Sequence, residues 1–305
     1  MGEGPFDQAS VNAMLSWKIN TVRLPLNEDC LLGVNVPHPA VSGAPYRAFV
    51  LAYANLLNAN GLRVVLDLHE GAPGTHLALG QEPMPDADHS IAFWTTIVGM
   101  FKSSKTPDLI YYDLFNEVGS NTLSTKCYVS GCDFTGPTYG PGQPYYGPYH
   151  AVGIQTLIDA VRGAGSTNTL LVPGMEWGND MSGFHLLHDP LGRLVADWHV
   201  YDGFSKTAAM YEAKFAAFQS ANTSPMVLGE IGSYSCGPAF DDEIETWADQ
   251  HHVGYIGWSW DVLQPPAKCS IDPNLISDWS GTPTAYGAGL RAHLLALAGS
   301  QKFAV

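Results

Sequence analysis

Short apolar runs alternate with stretches of helical periodicity along the chain, and this alternation constrains the fold more than any other feature of the sequence. Seven of the runs are rich in β-branched and aliphatic residues and turn polar only at their last one or two positions. Such an alternation is typical of a mostly parallel sheet covered by helices. The predicted strands span residues 20–25, 63–69, 109–117, 169–173, 195–201, 226–230 and 254–261.

The segments between the predicted strands carry ordinary helix signals. One of them, 46–60, runs apolar at helical spacing and stops at Gly61, a residue that can take the left-handed C-cap conformation. The segment 118–149 is different, because its Gly, Pro, Tyr and Cys content predicts a long loop that forms part of a substrate cleft. Helices are predicted at 10–17, 46–60, 91–102, 152–162, 208–219, 241–250 and 288–297.

Together these elements predict an α/β fold, a (β/α)8 TIM-type barrel that lacks its first β-strand, in a single domain over residues 1–305. Only a few polar and Gly-rich residues precede the first predicted helix. The chain is therefore either a fragment or a barrel open at one seam, with unpaired strand edges near Val22 and Gly254. An open seam favours strand pairing between chains, and so a homo-oligomer.

Charge and hydropathy exclude two classes of partner. The chain carries 14 Lys+Arg against 29 Asp+Glu, a formal net charge of −15, with no basic cluster, so we expect no nucleic-acid partner. No run approaches the ~18–20 apolar residues of a membrane span, so we expect no membrane partner. Abundant Gly, Pro, Tyr and Trp favour a secreted, extracellular enzyme, although residues 1–5 lack the features of a signal peptide.

Four of the five cysteines fall into two pairs that could form disulfides within loops. These pairs are Cys127 with Cys132 and Cys236 with Cys269, which leaves Cys30 over. Free thiols are the alternative, because spacing alone does not fix connectivity.

Two glutamates end predicted strands on nearly opposite sides of the barrel, where the active sites of such folds lie. Retaining glycosidases hold two carboxyl groups about 5 Å apart, one as nucleophile and the other as acid/base. We therefore predict Glu117 as the acid/base and Glu230 as the nucleophile. For either residue alone, a salt-bridged strand-end glutamate is the simpler alternative.

With these residues in place, the chain resembles glycoside hydrolase family 5, the cellulase family of barrel glycosidases. Six motifs, in order and at strand spacing, carry the resemblance over nearly the whole chain. They are NTVRLP at 20–25, LDLH at 66–69, DLFNE at 113–117, HVY at 199–201, LGEIG at 228–232 and GWSW at 257–260. The resemblance implies a retaining, endo-β-1,4-glucanase-like hydrolase of β-linked polysaccharide or oligosaccharide that acts by double displacement. Mannan, xyloglucan and β-1,3-glucan stay open as substrates, because barrel loops set that choice.

The resemblance also implies roles for polar residues around the two glutamates. Arg23 would hold a positive charge near Glu230 and keep it ionised. Asn116 would hydrogen-bond the sugar 2-hydroxyl. His69 and His199 would contact sugar hydroxyls or the carboxylates. The alternatives are a plain ion pair, a turn-capping Asn and structural histidines.

Aromatic residues complete the site that the resemblance implies. Tyr201 could donate its hydroxyl to Glu230, and Trp258 could offer a flat surface to a pyranose ring. Trp260 is an alternative platform, since strand alternation puts it on the same side as Trp258. Trp177 could extend the subsites. Core packing is the alternative for all three tryptophans.

Some positions depart from the family pattern. Val118 stands where a Pro is usual, and Leu31 and Glu70 stand where related sequences often carry Trp. Glu70 adds an acidic group near the cleft that could raise a neighbouring carboxyl pKa. We also hypothesise that Cys30 has lost a partner that lies in the missing region in relatives.

Two further functions were weighed. A metal-dependent hydrolase is suggested by His69, His76, His185, His188 and the run 86–89, but most of these histidines lie in predicted loops without ligand spacing. We therefore expect no metal and no cofactor. An inactive, carbohydrate-binding truncated barrel is the other alternative, and the presence of both glutamates argues against it.

Overall fold

The computed structural model describes residues 4–35, 39–119, 123–135, 148–203, 207–263 and 268–299. The strands are β1 (Thr21–Asn27), β2 (Arg63–Glu70), β3 (Ile110–Asp113), β4 (Cys132–Phe134), β5 (Tyr149–Ala151), β6 (Leu170–Pro173), β7 (Leu194–Tyr201), β8 (Met226–Gly232) and β9 (Gly254–Gly257). The helices are α1 (Gln8–Ser16), α2 (Glu28–Leu32), α3 (Ala44–Ala59), α4 (Ser90–Phe101), α5 (Thr125–Ser130), α6 (Ile154–Gly163), α7 (Met175–Gly178), α8 (Ala208–Ala221), α9 (Ala239–His251) and α10 (Ala285–Gly299). Short 3₁₀ turns lie at Pro39–Val41, Pro107–Leu109 and Phe184–Leu186.

The main sheet has seven parallel strands in the order β1-β2-β3-β6-β7-β8-β9. This arrangement confirms the predicted α/β barrel type without its first strand, because each of the seven predicted strands overlaps one of these. Within the described ranges β1 and β9 pair with one neighbour each, so the sheet is open between them. Pro25 lies in β1, and an edge strand tolerates a residue that has no N–H to donate.

The segment predicted to be one long loop contains regular structure in its described parts. Helix α5 begins after Ser124, whose hydroxyl accepts a hydrogen bond from the Cys127 backbone N–H and so caps the helix. β4 and β5 then pair in antiparallel register, outside the main sheet. Short elements of this kind escape prediction because contacts from elsewhere in the chain stabilise them. Residues 120–122 and 136–147 lie outside the described residues.

Both predicted disulfides are confirmed. The Cα atoms of Cys127 and Cys132 are 5.1 Å apart, and those of Cys236 and Cys269 are 5.7 Å apart. Cys30 is a free thiol, partly buried against the core, and burial raises its pKa.

Helix α6 illustrates how the apolar pattern produces the outer layer. Ile154, Leu157, Ile158 and Val161 recur at helical spacing and are all fully buried against the sheet. Arg162, in the last turn of the helix, has a nearly buried side chain that pairs with Asp189 at 2.7 Å. Truncating Leu157 to Ala would cost about 2–5 kcal/mol, because a close-packed core does not refill the space.

Two β-bulges at the carboxyl ends of the strands direct side chains into the site. Trp198 pairs with Leu228 and His199 pairs with Glu230, so Gly229 is the extra residue of β8. A Cβ atom at Gly229 would overlap the Asp197 carboxylate, so only glycine permits this approach. A second shift, between β1 and β2, leaves His69 as the extra residue of its strand.

In the part of the chain that the structure describes, no helix combines the length and the apolar character that crossing a membrane requires.

Candidate active site

The carboxyl ends of the parallel strands surround an open cavity of about 670 Å³. Of the ten predicted site residues, seven line it: His69, Asn116, Glu117, Trp177, Tyr201, Glu230 and Trp258. Arg23 and His199 lie just beneath them, each within hydrogen-bonding distance of one of the two glutamates. Trp260 is not among the described residues that line this cavity.

Glu117 and Glu230 reach the cleft from different sides of the sheet and meet there. A carboxylate oxygen of each, together with a ring nitrogen of His199, lies within 4.8 Å of the others. The Glu117 side chain keeps 17% of its surface exposed, whereas that of Glu230 keeps 6%. The Glu117 carboxylate is therefore accessible to water or to a leaving group, whereas the Glu230 carboxylate is largely shielded from solvent.

Arg23 organises the floor of the cleft. Its Nη1 donates to Glu230 Oε1 at 2.7 Å, and its Nε donates to Asp113 Oδ2 at 2.8 Å. Its Nη2 donates to Asn116 Oδ1 at 2.8 Å and lies 3.0 Å from Asp67 Oδ2. Because the guanidinium is planar and buried, these contacts fix the positions of four side chains at once.

The surroundings of Glu230 keep it ionised. Burial alone would raise the pKa of this carboxyl, but the nearby positive charges of His199 and Arg23 outweigh burial and hold the pKa below its usual value. The Tyr201 hydroxyl adds a 2.5 Å hydrogen bond to Glu230 Oε2. A buried carboxylate with this environment is a ready nucleophile at neutral pH.

His199 connects the two glutamates. Its Nδ1 lies 2.9 Å from Glu117 Oε1 and 3.5 Å from Glu230 Oε2, and its Nε2 lies 3.7 Å from Asp197 Oδ2. Burial would lower the pKa of the imidazole, but these carboxylates raise it well above the usual value and so favour the protonated ring. The fully buried ring therefore supplies a second positive charge to the floor.

Asn116 and His69 present polar groups beside the pair. Arg23 occupies the amide oxygen of Asn116, so the Nδ2 donor is what this side chain can offer to a sugar hydroxyl. His69 Nδ1 lies 2.7 Å from Asp67 Oδ2, and its ring stacks parallel to Trp258 with centroids 5.4 Å apart. The Trp258 indole nitrogen donates to Asp272 at 3.1 Å, so each ring of the stacked pair is held by an acidic side chain.

The other two tryptophans have different surroundings. Trp177 lines the cleft with left-handed backbone angles, and it packs so closely on Gly119 that a Cβ there would collide with the indole. Trp260 lies edge-on to Trp17 with centroids 4.9 Å apart, and it packs between the main core and a smaller apolar cluster. The predicted alternation of Trp258 and Trp260 does not hold, because β9 ends at Gly257 and the backbone leaves the strand before either residue.

A comparison with protein families identifies the chain's lineage. The family model for cellulase, glycosyl hydrolase family 5, matches residues 4–263. The chain belongs to glycosyl hydrolase family 5. The match confirms the resemblance drawn from the six strand-end motifs.

Members of family 5 with curated names match the chain over parts of their length. A mannan endo-1,4-beta-mannosidase from Cellvibrio japonicus is 32% identical over 267 residues, 77% of this chain and 56% of that protein. A mannan endo-1,4-beta-mannosidase from Streptomyces lividans is 32% identical over 162 residues, 44% of this chain and 42% of that protein. The chain thus spans about half the length of these relatives.

The fold is also found in solved structures. The mannotriose complex of a beta-mannanase from Thermomonospora fusca superposes with a TM-score of 0.67 at 20% identity, covering 95% of this chain and 86% of that one. At this identity the likeness supports the barrel fold alone.

Several cleft residues were missed by the sequence analysis. Gln81 donates to Glu117 Oε2 at 2.8 Å, and Glu176, Asn179, Lys214 and Tyr234 also line the cavity. Tyr234 follows the end of β8 and Glu176 follows β6, so their positions after strands were a usable signal. Gln81 and Lys214 come from a long loop and from a helix, where no sequence pattern marks them.

Proposed function

We propose that this family 5 chain is a retaining glycoside hydrolase that cleaves β-linked polysaccharide, with residues 1–305 as one catalytic domain. The observation that carries the proposal is the approach of Glu117 and Glu230 oxygens to within 4.8 Å. Retaining enzymes hold their carboxyl groups about 5–5.5 Å apart, whereas inverting enzymes need roughly 6.5–9.5 Å to admit a water between them. The spacing thus favours a covalent intermediate over direct attack by water.

In the first step, an ionised Glu230 oxygen attacks the anomeric carbon while Glu117 protonates the glycosidic oxygen of the leaving sugar. The new bond is a glycosyl ester on Glu230, and the chain beyond the scissile bond leaves as an alcohol. In the second step, Glu117 removes a proton from water, which attacks the same carbon and releases Glu230. Asn116 would strengthen its hydrogen bond to the 2-hydroxyl as positive charge develops on the ring.

Beta-1,4-mannan is the substrate that we propose first. Its support is that the two curated relatives are named mannan endo-1,4-beta-mannosidases. Beta-1,4-glucan is the second candidate, supported by the cellulase name of the family model. The two polymers differ in the orientation of the 2-hydroxyl, the group that Asn116 would contact, so comparing kcat/KM for mannan and glucan oligosaccharides of equal length decides between them.

Replacing the two glutamates tests the catalytic assignment. We expect Glu230→Gln and Glu117→Gln each to reduce turnover by about 10²–10⁴-fold or more while the fold is retained. Azide should restore turnover of an activated aryl glycoside by Glu117→Gln and give a β-glycosyl azide, because the covalent intermediate still forms. Glu212→Gln, on α8 outside the cleft, is the matched control. Full activity in either cleft variant would refute the assignment, and so would an inverted product anomer.

This test also separates an enzyme from an inactive, carbohydrate-binding barrel. A binding module would retain oligosaccharide affinity and show no turnover in the unmodified protein. The ionised Glu230 and the more exposed Glu117 side by side argue for an active site.

We also propose that two copies associate through the open seam. A cavity of about 890 Å³ lies there, lined by apolar side chains of both edge strands, among them Val22, Leu24, Tyr255 and Ile256. A strand edge from a second copy would cover these groups. Dilution should then lower the melting temperature, and light scattering should report a dimer. A monomer with a concentration-independent melting temperature contradicts this proposal.

An extracellular location is our remaining proposal. The two disulfides support it, because such bonds persist mainly in oxidising compartments.

A further inference from the structure

A second group of buried acidic residues lies behind the wall of the cleft. Glu28 is the first residue of α2, and Glu82 and Asp86 belong to the loop between β2 and α4. All three side chains belong to residues with 0% exposure. His89, which precedes α4, borders the group. We call these four residues the wall cluster.

The atoms of the wall cluster converge on a small region. A carboxylate oxygen of Glu28, one of Asp86 and a ring nitrogen of His89 all lie within 4.8 Å of one another. Glu82 points toward the same region from the loop. Its Oε2 lies 3.2 Å, and Asp86 Oδ2 lies 3.6 Å, from the place where Gly71 would carry a Cβ. The missing side chain of Gly71 leaves room between the carboxylates.

The hydrogen bonds of the cluster leave specific oxygens unused. Glu28 Oε2 accepts from the Ala72 N–H at 2.7 Å, and Asp86 Oδ1 accepts from the His89 N–H at 2.7 Å. Glu28 Oε1 and both carboxylate oxygens of Glu82 have no hydrogen-bond partner among the residues that the structure describes. Buried carboxylate oxygens without partners are costly, so something must neutralise them.

Protein cations are scarce at this place. His89 Nδ1 lies 3.9 Å from Asp86 Oδ1, and within the described ranges no Lys or Arg pairs with the cluster. A proton shared between Glu28 and Asp86 would satisfy those two carboxyls, but it would leave Glu82 unbonded. A divalent cation would satisfy all three, since Ca²⁺ accepts six to eight oxygen ligands in irregular geometry.

We propose that Glu28, Glu82 and Asp86 form a binding site for a divalent cation of the calcium type, with His89 at its border. Opposite oxygen ligands of Ca²⁺ lie about 4.6–5.2 Å apart, so Glu28 and Asp86, whose oxygens lie within 4.8 Å of each other, can share one ion. Glu82 Oε2, which faces the same space beside Gly71, can join them after a small side-chain shift. The sequence analysis assigned no metal to the run 86–89. That run lacked visible ligand spacing because Glu28 joins it only in the tertiary structure.

The ion would brace the loop that forms the cleft wall. Residues 82–86 are buried although they belong to a loop, and Asp86 bridges to Ala151 of β5. The same loop carries Gln81, which donates to Glu117. Cation binding at the wall cluster would therefore stabilise the loop and the fold, without contact with the reacting atoms.

The test is the binding of Ca²⁺ to chelator-treated protein at pH 7, followed by calorimetry and by the melting temperature. We expect one ion per chain and a rise in melting temperature that a chelator reverses. Glu82→Gln and Glu28→Gln keep side-chain size and remove one charge each, so they should lose most of this rise. Glu245→Gln is the matched control, because it removes another fully buried carboxylate, on α9, whose oxygens accept no hydrogen bond within the described ranges, and it should keep the full rise.

Each outcome decides the proposal. If the unmodified protein binds no ion and its melting temperature ignores Ca²⁺, the carboxyls are neutralised by protons and the proposal is wrong. It is equally wrong if Glu82→Gln and Glu28→Gln bind Ca²⁺ like the parent. If either variant fails to fold, the stoichiometry and the chelator response of the unmodified chain still decide. None of these measurements depends on glycosidase activity, so the proposed function stands or fails separately.

Discussion

Two groups of buried carboxylates lie within this barrel, and they differ in the charge that surrounds them. On the cleft floor, Arg23 and His199 stand among the acids and hold the pKa of Glu230 below its usual value against the effect of burial. In the wall cluster, burial and the charge of Asp86 raise the pKa of Glu82 to about 9. Burial is similar in the two places, so neighbouring cations decide whether a buried carboxyl is an anion.

The difference explains what each group can do. An anion held in place by fixed positive charge can attack a carbon, which is the role that we propose for Glu230. Carboxyls without protein cations must take up protons or an external cation, which suits a structural role.

Removing the central cation of the floor should have the largest effect. Arg23→Met leaves Glu230, Asp113 and Asp67 without their buried partner, and breaking such a pair costs about 3–5 kcal/mol of unfolding free energy. The pKa of Glu230 should rise, so the acid limb of the kcat/KM profile should move to higher pH. Arg162→Met, which breaks the pair with Asp189 far from the cleft, should cost stability without moving that limb. An unshifted acid limb in Arg23→Met would show that Arg23 does not control Glu230.

Loss of the hydroxyl that donates to Glu230 should have a smaller effect. Tyr201→Phe removes the hydrogen bond to Glu230 Oε2, and we expect kcat/KM to fall about tenfold to a hundredfold, as for a bond of about 1.5–3 kcal/mol to a charged group. Tyr128→Phe removes a buried hydroxyl that donates to the Pro173 carbonyl outside the cleft. That control should keep its activity, and equal losses in both variants would point to a general packing defect.

The loop that carries part of the wall cluster contacts Glu117 through a hydrogen bond donated by Gln81. Gln81→Ala removes the donor to Glu117 Oε2, and we expect kcat to fall by a factor equivalent to about 0.5–1.5 kcal/mol. KM should stay unchanged, because the bond is to a carboxylate of the protein and not to the sugar. Gln219→Ala on the exposed side of α8 is the control. A changed KM would make Gln81 a substrate contact instead.

The smallest effect on activity is expected at a third buried acid, on α9 and outside the cleft, whose influence is on the pH dependence of stability. Burial raises the pKa of Glu245 to about 9 from an ordinary value of 4.5, so the folded chain holds a proton that the unfolded chain releases between these values. Stability contributed by this proton is therefore present below about pH 4.5 and lost as pH rises through about 9, at up to about 1.4 kcal/mol per pH unit. Glu245→Gln should flatten this decline in denaturant titrations. Glu243→Gln, at an exposed position on the same helix, is the control and should leave the decline unchanged. An unchanged decline in Glu245→Gln would mean that this carboxyl is ionised in the folded protein, which contradicts the prediction.

Much of the fold could be predicted because it depends on local patterns. The apolar runs with polar ends located all seven strands of the main sheet, and the position of Glu117 and Glu230 at strand ends placed them on one face of a barrel. Strand lengths were less predictable, because β3 and β9 end earlier than their apolar runs. The position of Trp260 followed from the same early end of β9.

The sequence by itself determined the barrel class, the family and the two glutamates, because hydrophobic periodicity and strand-end motifs are encoded within short windows of chain. Only the tertiary structure decided which charges meet. Arg23 contacts Glu230 across 207 positions, and Glu28 approaches Asp86 behind the cleft wall. Whether a buried carboxyl is ionised depends on such distant neighbours, through electrostatic forces that act over ångströms in space and are not encoded in sequence spacing.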